Sequence, residues 1–167
     1  RRISAMIKLA QSEPGIPVRP SELDTDPWLL NVLSGTINLK TGQLREHRRE
    51  DYITKLCPVT YDETAKCPRF QAFLERILPE KSVRRFIQKA IGYSLTGITD
   101  ERVIFILYGV GGNGKTTLFV IVSKLLGDYA KRTPTETLLV KRGSSIPNDV
   151  AALRGARFVY ASEAEEG

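Results

Sequence analysis

An α/β architecture is expected of this chain, and three neighbouring stretches carry the expectation. Residues 103–108, Val-Ile-Phe-Ile-Leu-Tyr, form an unbroken apolar run of the kind that makes a strand buried on both faces. A glycine loop follows, and then a segment with Leu118, Val122, Leu125 and Leu126 at helical spacing. A second apolar stretch, residues 157–163, ends in an acid. Strand, loop, helix and second strand describe part of a parallel sheet. The residues before them read as an α+β module.

Taken in order, residues 3–12 look like the end of an amphipathic helix, with Ile3, Met6, Ile7 and Ala10 on one side. Pro14, Pro17, Pro20 and Pro27 then mark a loop. From Trp28 to Leu44 the pattern turns to strands. Thr36-Ile37-Asn38-Leu39 alternates, Lys40-Thr41-Gly42 supplies a turn, and Gln43-Leu44-Arg45 returns as a β-hairpin. Residues 52–60 are expected to add a short strand, stopped near Pro58. Pro68 opens a helix with Phe70, Phe73, Leu74 and Ile77 as its apolar stripe. Pro79-Glu80 opens the next, with Val83, Phe86, Ile87, Ala90 and Ile91 inward and Lys81, Arg84, Arg85 and Lys89 outward. That basic ridge could meet DNA or a neighbouring subunit, but a solvated face is its default reading.

Gly92 and Gly97 bracket the end of this helix, and a domain boundary is placed at Gly97, dividing the chain into residues 1–97 and 98–167. After the helix that follows the glycine loop, residues 134–140 suggest a loop leading into a short helix. Lys141-Arg142-Gly143-Ser144-Ser145 reads as flexible and exposed. Asn148 is a plausible cap for a helix that closes near Gly155.

The loop Gly109-Val110-Gly111-Gly112-Asn113-Gly114-Lys115-Thr116 fits the phosphate-binding (Walker A) pattern G-x-x-x-x-G-K-[ST] at each fixed position. Glycines let a backbone curl around an anion and reach positive φ. The loop amides and the positive end of the following helix then face phosphate oxygens. Lys115 adds a mobile cation, and the Thr116 hydroxyl is suited to Mg²⁺, with Thr117 beside it. ATP with Mg²⁺ is the expected ligand. A triphosphatase also needs an acid at the tip of a neighbouring strand, to order metal and water. Glu163 stands at such a tip and is the candidate for both tasks. Ser162 is a weaker metal-shell candidate, and Glu165 and Glu166 read as a solvated acidic turn.

The bulk properties set limits. The net charge is +6, and residues 1–97 hold 16 of the 25 Lys and Arg against 11 of the 19 Asp and Glu. A basic first half suits a polyanionic partner such as nucleic acid. No apolar run reaches membrane-spanning length, so no membrane partner is expected. Cys57, Cys67, His47 and Asp51 match no recognised zinc spacing, and two reduced structural cysteines in a cytoplasmic protein are the expectation. The chain starts at Arg1 without an initiator Met, which suggests a segment of a longer protein.

An ordered series of short segments adds a resemblance. Asp26-Pro27-Trp28-Leu29-Leu30-Asn31, Leu39-Lys40-Thr41-Gly42, Ala65-Lys66-Cys67-Pro68-Arg69-Phe70, the glycine loop, Ile146-Pro147-Asn148-Asp149 and residues 155–167 follow one another. Together they resemble the phage and plasmid primase-helicases, in which a poxvirus-type primase-helicase N-terminal module precedes a superfamily 3 helicase core. The resemblance implies an ATP-driven helicase acting on single-stranded or forked DNA, as a homo-oligomeric ring, normally a hexamer, in the cytoplasm of a bacterial host. It implies that a sensor strand, an arginine finger and a DNA-contacting hairpin follow Gly167. The isolated chain is then expected to bind ATP weakly and hydrolyse it poorly. Two other readings stay open: a small-molecule kinase, and a non-catalytic oligomerisation or DNA-loading module of a decayed prophage.

Overall fold

The computed structural model describes residues 2–138 and 148–161. Helix α1 (Arg2–Ala10) leads into the proline-rich stretch, whose regular structure is a single 3₁₀ turn at Pro20–Glu22. Three antiparallel strands follow in the order β1 (Leu29–Val32), β2 (Gly35–Asn38) and β3 (Gln43–Arg45). Leu30 lies opposite Ile37, and Thr36 opposite Arg45. The β2–β3 turn closes with the Gly42 amide donating to the Asn38 carbonyl at 2.7 Å. Lys40 in that turn rests over the Trp28 ring, 4.9 Å from its centre. The hairpin therefore forms where the alternation and the turn residues place it.

Helix α2 (Pro68–Ile77) begins on Pro68, where a missing amide costs nothing because first-turn amides lack helical partners. Helix α3 (Lys81–Leu95) follows after three residues. Helix α4 (Lys115–Leu126) starts directly after Gly114. A 3₁₀ turn at Gly127–Tyr129 then feeds β4 (Ala130–Thr133). A short helix α5 (Asn148–Ala151) precedes β5 (Phe158–Ala161), which pairs parallel to β4, Ala130 opposite Phe158 and Thr133 opposite Ala161. Helices and a parallel strand pair beside an antiparallel sheet make the fold α/β.

One apolar cluster holds these parts. Leu30, Val32 and Ile37 of the first sheet and Cys57 meet Leu118, Val122 and Leu126 of α4 and Tyr129. Phe73 and Ile77 of α2 and Ile87 and Ile91 of α3 close over it. Each fully buried leucine or valine contributes about 1.5–3 kcal/mol of transfer free energy. Residues on both sides of Gly97 thus share one core.

Several expectations are corrected. Residues 103–108 form no regular strand, and Ile104, Ile106 and Tyr108 are 67%, 78% and 92% exposed. A strand buried on both faces needs neighbours along its edges, and none pairs with this segment among the described residues. Residues 52–60 give one isolated parallel bridge, Val32 to Cys57, rather than a strand. The segment runs beside β1, with the Cys57 amide on the Asn31 carbonyl and the Leu33 amide on the Val59 carbonyl. Pro58 lies between these two contacts and has no amide to donate.

Leu125 is exposed, because the buried stripe of α4 is the i, i+4, i+8 row Leu118, Val122 and Leu126. Val83 and Phe86 at the start of α3 are also exposed, whereas Ile87, Ala90 and Ile91 turn inward. Gly92 lies inside α3, which runs on to Leu95. The expected flexible stretch 141–145 and the acids Glu163, Glu165 and Glu166 with Ser162 lie outside the described residues, as does the side chain of Asn148.

Candidate functional site

The glycine loop joins residues 103–108 to the first turn of α4. Gly112 and Gly114 have φ of 74° and 84°. Within the loop, Gly114 is the residue whose identity the geometry demands most clearly. Left-handed backbone costs an L-residue roughly 1–2 kcal/mol, and a β-carbon here would stand 2.7 Å from Ile77 Cγ2. The start of α4 is therefore seated directly on α2, against Ile77 and Phe73. At Gly109 (φ 150°) a β-carbon would press on the Asn113 amide, so the two ends of the loop approach closely.

Lys115 folds back into the loop. Its Nζ donates to the Gly109 carbonyl at 2.9 Å, the Val110 carbonyl at 3.2 Å and Asn113 Oδ1 at 2.8 Å. Those three acceptors use all three ammonium donors. The backbone N–H groups from Val110 to Thr117, by contrast, donate to no protein acceptor among the described residues. The first intrahelical bond of α4 runs from the Leu118 amide to the Gly114 carbonyl at 3.0 Å. Thr116 and Thr117 are exposed at the N-terminal end of this 12-residue helix. Free amides, a helix N-terminus and a lysine within reach are the elements of an anion site.

An apolar cleft of about 420 Å³ opens beside Lys115 and Asn113. Ile77, Val83 and Phe86 line one wall, and Phe105, Ile106 and Tyr108 the other. Phe86 meets Phe105 edge to face with ring centres 5.8 Å apart. Of the sequence-expected residues, the structure brings Gly109, Gly111, Gly112, Asn113, Gly114, Lys115, Thr116 and Thr117 into one loop and helix start. The position of Glu163, expected as catalytic acid and metal ligand, lies outside the described residues.

One residue with a large positional role escapes the sequence pattern. Arg157, just before β5, donates to the Leu95 carbonyl at 2.8 Å and the Leu29 carbonyl at 2.9 Å, and reaches the Asp26 carbonyl at 3.4 Å. Its guanidinium lies 4.6 Å from the centre of the Tyr129 ring. Burial lowers its pKa from the usual arginine value, with the nearby Tyr129 opposing the shift. The Tyr129 hydroxyl in turn accepts from the Asn31 amide at 3.2 Å and donates to the Lys55 carbonyl at 3.3 Å. Together they fasten β5 to the end of α3 and the start of β1. The available signal was faint: a lone arginine set among small and apolar residues, Gly155-Ala156-Arg157-Phe158.

Comparison with known proteins bears on the first half of the chain. Residues 1–79, which run through β1–β3 and α2, match the family model described as D5 N terminal like. Residues 1–79 are thus similar to that family. This agrees with the poxvirus-type primase-helicase N-terminal module that the sequence resembles. The matched segment supplies Phe73 and Ile77, on which the start of α4 rests.

Curated relatives extend the similarity beyond residue 79. A protein named "Putative helicase" from Acanthamoeba polyphaga mimivirus is 32% identical over 129 residues, covering 74% of this chain and 13% of its own length. Another of that name, from Invertebrate iridescent virus 6, is 23% identical over 167 residues, with 95% and 17% covered. A "Putative primase" of African swine fever virus is 29% identical over 151 residues, with 84% and 16% covered. The chain thus spans at most 17% of the length of these three relatives. No helix among the described residues is long and apolar enough to cross a membrane.

Proposed function

We propose that the chain is the ATP-binding part of a DNA helicase of the primase-helicase type, joining ATP hydrolysis to unwinding during replication of a virus-like or other mobile genome. The observation that carries this reading is the run of unengaged amides from Val110 to Thr117 curled around Lys115 at the start of α4. The D5-like module and the relatives' printed names supply the class of enzyme.

Bound ATP with Mg²⁺ supplies the phosphoryl group whose transfer to water drives the cycle. The residues present fit it. Lys115 exchanges its bonds to the Gly109 and Val110 carbonyls for phosphate oxygens. The loop amides and the helix dipole of α4 hold the added negative charge. Thr116 offers the hydroxyl for Mg²⁺, and Glu163 is proposed to order the water. Single-stranded or forked DNA is the proposed partner, and a homo-oligomeric ring, a hexamer, the proposed assembly.

The test is nucleotide binding by the chain, followed with a fluorescent ATP analogue and Mg²⁺. Lys115→Ala removes charged hydrogen bonds worth about 1.5–3 kcal/mol each, so binding is expected to weaken at least ~10-fold. Glu163→Gln is expected to bind normally. In a protein as long as the relatives, single-stranded DNA should raise ATP turnover, and both variants should abolish it. Binding that is indifferent to Lys115→Ala would overturn the reading.

A further inference from the structure

We infer that the outer face of α3 is a binding track for the phosphates of single-stranded DNA, formed by Lys81, Arg85 and Lys89. The inference rests on the proposed helicase reading and names the surface by which this chain meets its polynucleotide. Helix α3 carries four cations and no carboxylate over 15 residues. The structure separates them. Arg84 turns inward and donates to the Leu78 and Pro79 carbonyls, both at 2.7 Å, so it caps the end of α2 rather than facing solvent.

Lys81, Arg85 and Lys89 remain. They are exposed, and their side chains make no ion pair or hydrogen bond among the described residues. Their i, i+4, i+8 spacing puts them in one row, about 6 Å apart along the helix axis. That step is comparable with the step between successive phosphates along a single strand. An ordinary solvated helix face mixes both signs of charge in i, i+4 pairs, and this one does not.

The opposite face of the same helix makes the placement mechanistic. Val83 and Ile87, on the side away from that row, line the cleft that opens beside Lys115. A strand lying along the row and a nucleotide in the loop would thus press on opposite sides of one helix. The regular step matches a polyphosphate chain, whose charges repeat at a fixed distance, more closely than a peptide or a lipid surface, whose charges do not.

The experiment measures binding of a labelled oligothymidylate to the chain by fluorescence anisotropy across a salt series. The variant Lys81→Ala/Arg85→Ala/Lys89→Ala is compared with a charge-matched control, Arg48→Ala/Lys66→Ala/Lys124→Ala. Each single-strand phosphate contact contributes about 0.7 to the slope of log affinity on log salt. The α3 variant should therefore lose about 2 units of slope and about 100-fold in affinity at 0.1 M salt. The control should keep the wild-type slope.

Equal losses in both variants would reduce the effect to net charge and overturn the inference, as would an unchanged slope in the α3 variant. Wild-type chain that binds the ATP analogue but no oligothymidylate would also overturn it, while leaving the nucleotide site standing. Wild-type chain that binds oligothymidylate but no ATP analogue would instead overturn the helicase reading and leave the track in place.

Discussion

Cys57 and Cys67 show how far one side-chain type can be divided by its surroundings. Cys57 is 2% exposed, and burial pushes its thiol up to about 11, the charge of Arg157 pulling weakly the other way. Cys67, at the start of α2, is exposed. Since the thiolate is the reactive form, an aromatic disulfide reagent at pH 8 should titrate one thiol quickly and the second only in denaturant. A stability consequence follows with a definite sign. Cys57 and Tyr129 both have pKa values raised by burial, so the unfolded chain releases these protons at lower pH than the folded one. The Cys57 contribution is whole below about pH 9 and is lost as pH rises through about 11, and that of Tyr129 is lost in the same direction. Urea midpoints at pH 8 and pH 10.5 should differ in that direction, and Cys57→Ala should reduce the difference.

At the scale of elements, Arg157 sits where one side chain replaces a whole interface. Leucine or methionine would fill much of its volume but leave the Leu95 and Leu29 carbonyls without a donor in a half-buried setting. Arg157→Met is expected to cost about 2–3 kcal/mol, read from denaturant unfolding. Arg157→Lys should recover only part, because an ammonium cannot span the same fork or stack equally on Tyr129.

This is also the scale at which sequence and structure part company. The β2–β3 hairpin was legible because alternation and turn residues are local. So was the glycine loop, a contiguous motif whose spacing is set by its own backbone. Strand β4 was not, since Ala130-Lys131-Arg132-Thr133 has no apolar alternation, and only Thr133 is buried in it. Its pairing with β5 depends on residues nearly thirty positions away. The apolar run 103–108 erred in the other direction. Composition identifies residues able to form a buried strand, but a strand exists only where a neighbour accepts its amides. The signal of Arg157 was faint for the same reason, because its acceptors are backbone carbonyls distant in the chain.

For the molecule as a whole, residues 103–108 leave an apolar surface beside the loop. Exposed apolar backbone without a ladder partner is prone to pair with other chains. Concentration-dependent association is therefore expected in light scattering, and Ile106→Lys should diminish it without altering the far-ultraviolet circular dichroism. Association unaffected by that change would place the sticky surface elsewhere.

The single core has a consequence for the moment of synthesis. The apolar face of β1 and β2 is covered by Leu118, Val122 and Leu126, and the Asn31 amide waits for a hydroxyl 98 residues downstream. At ribosomal speeds of about 5–20 residues per second, that face emerges several seconds before its cover exists. For that interval the apolar side of the nascent hairpin is uncovered. What closes it is the helix that starts at Lys115.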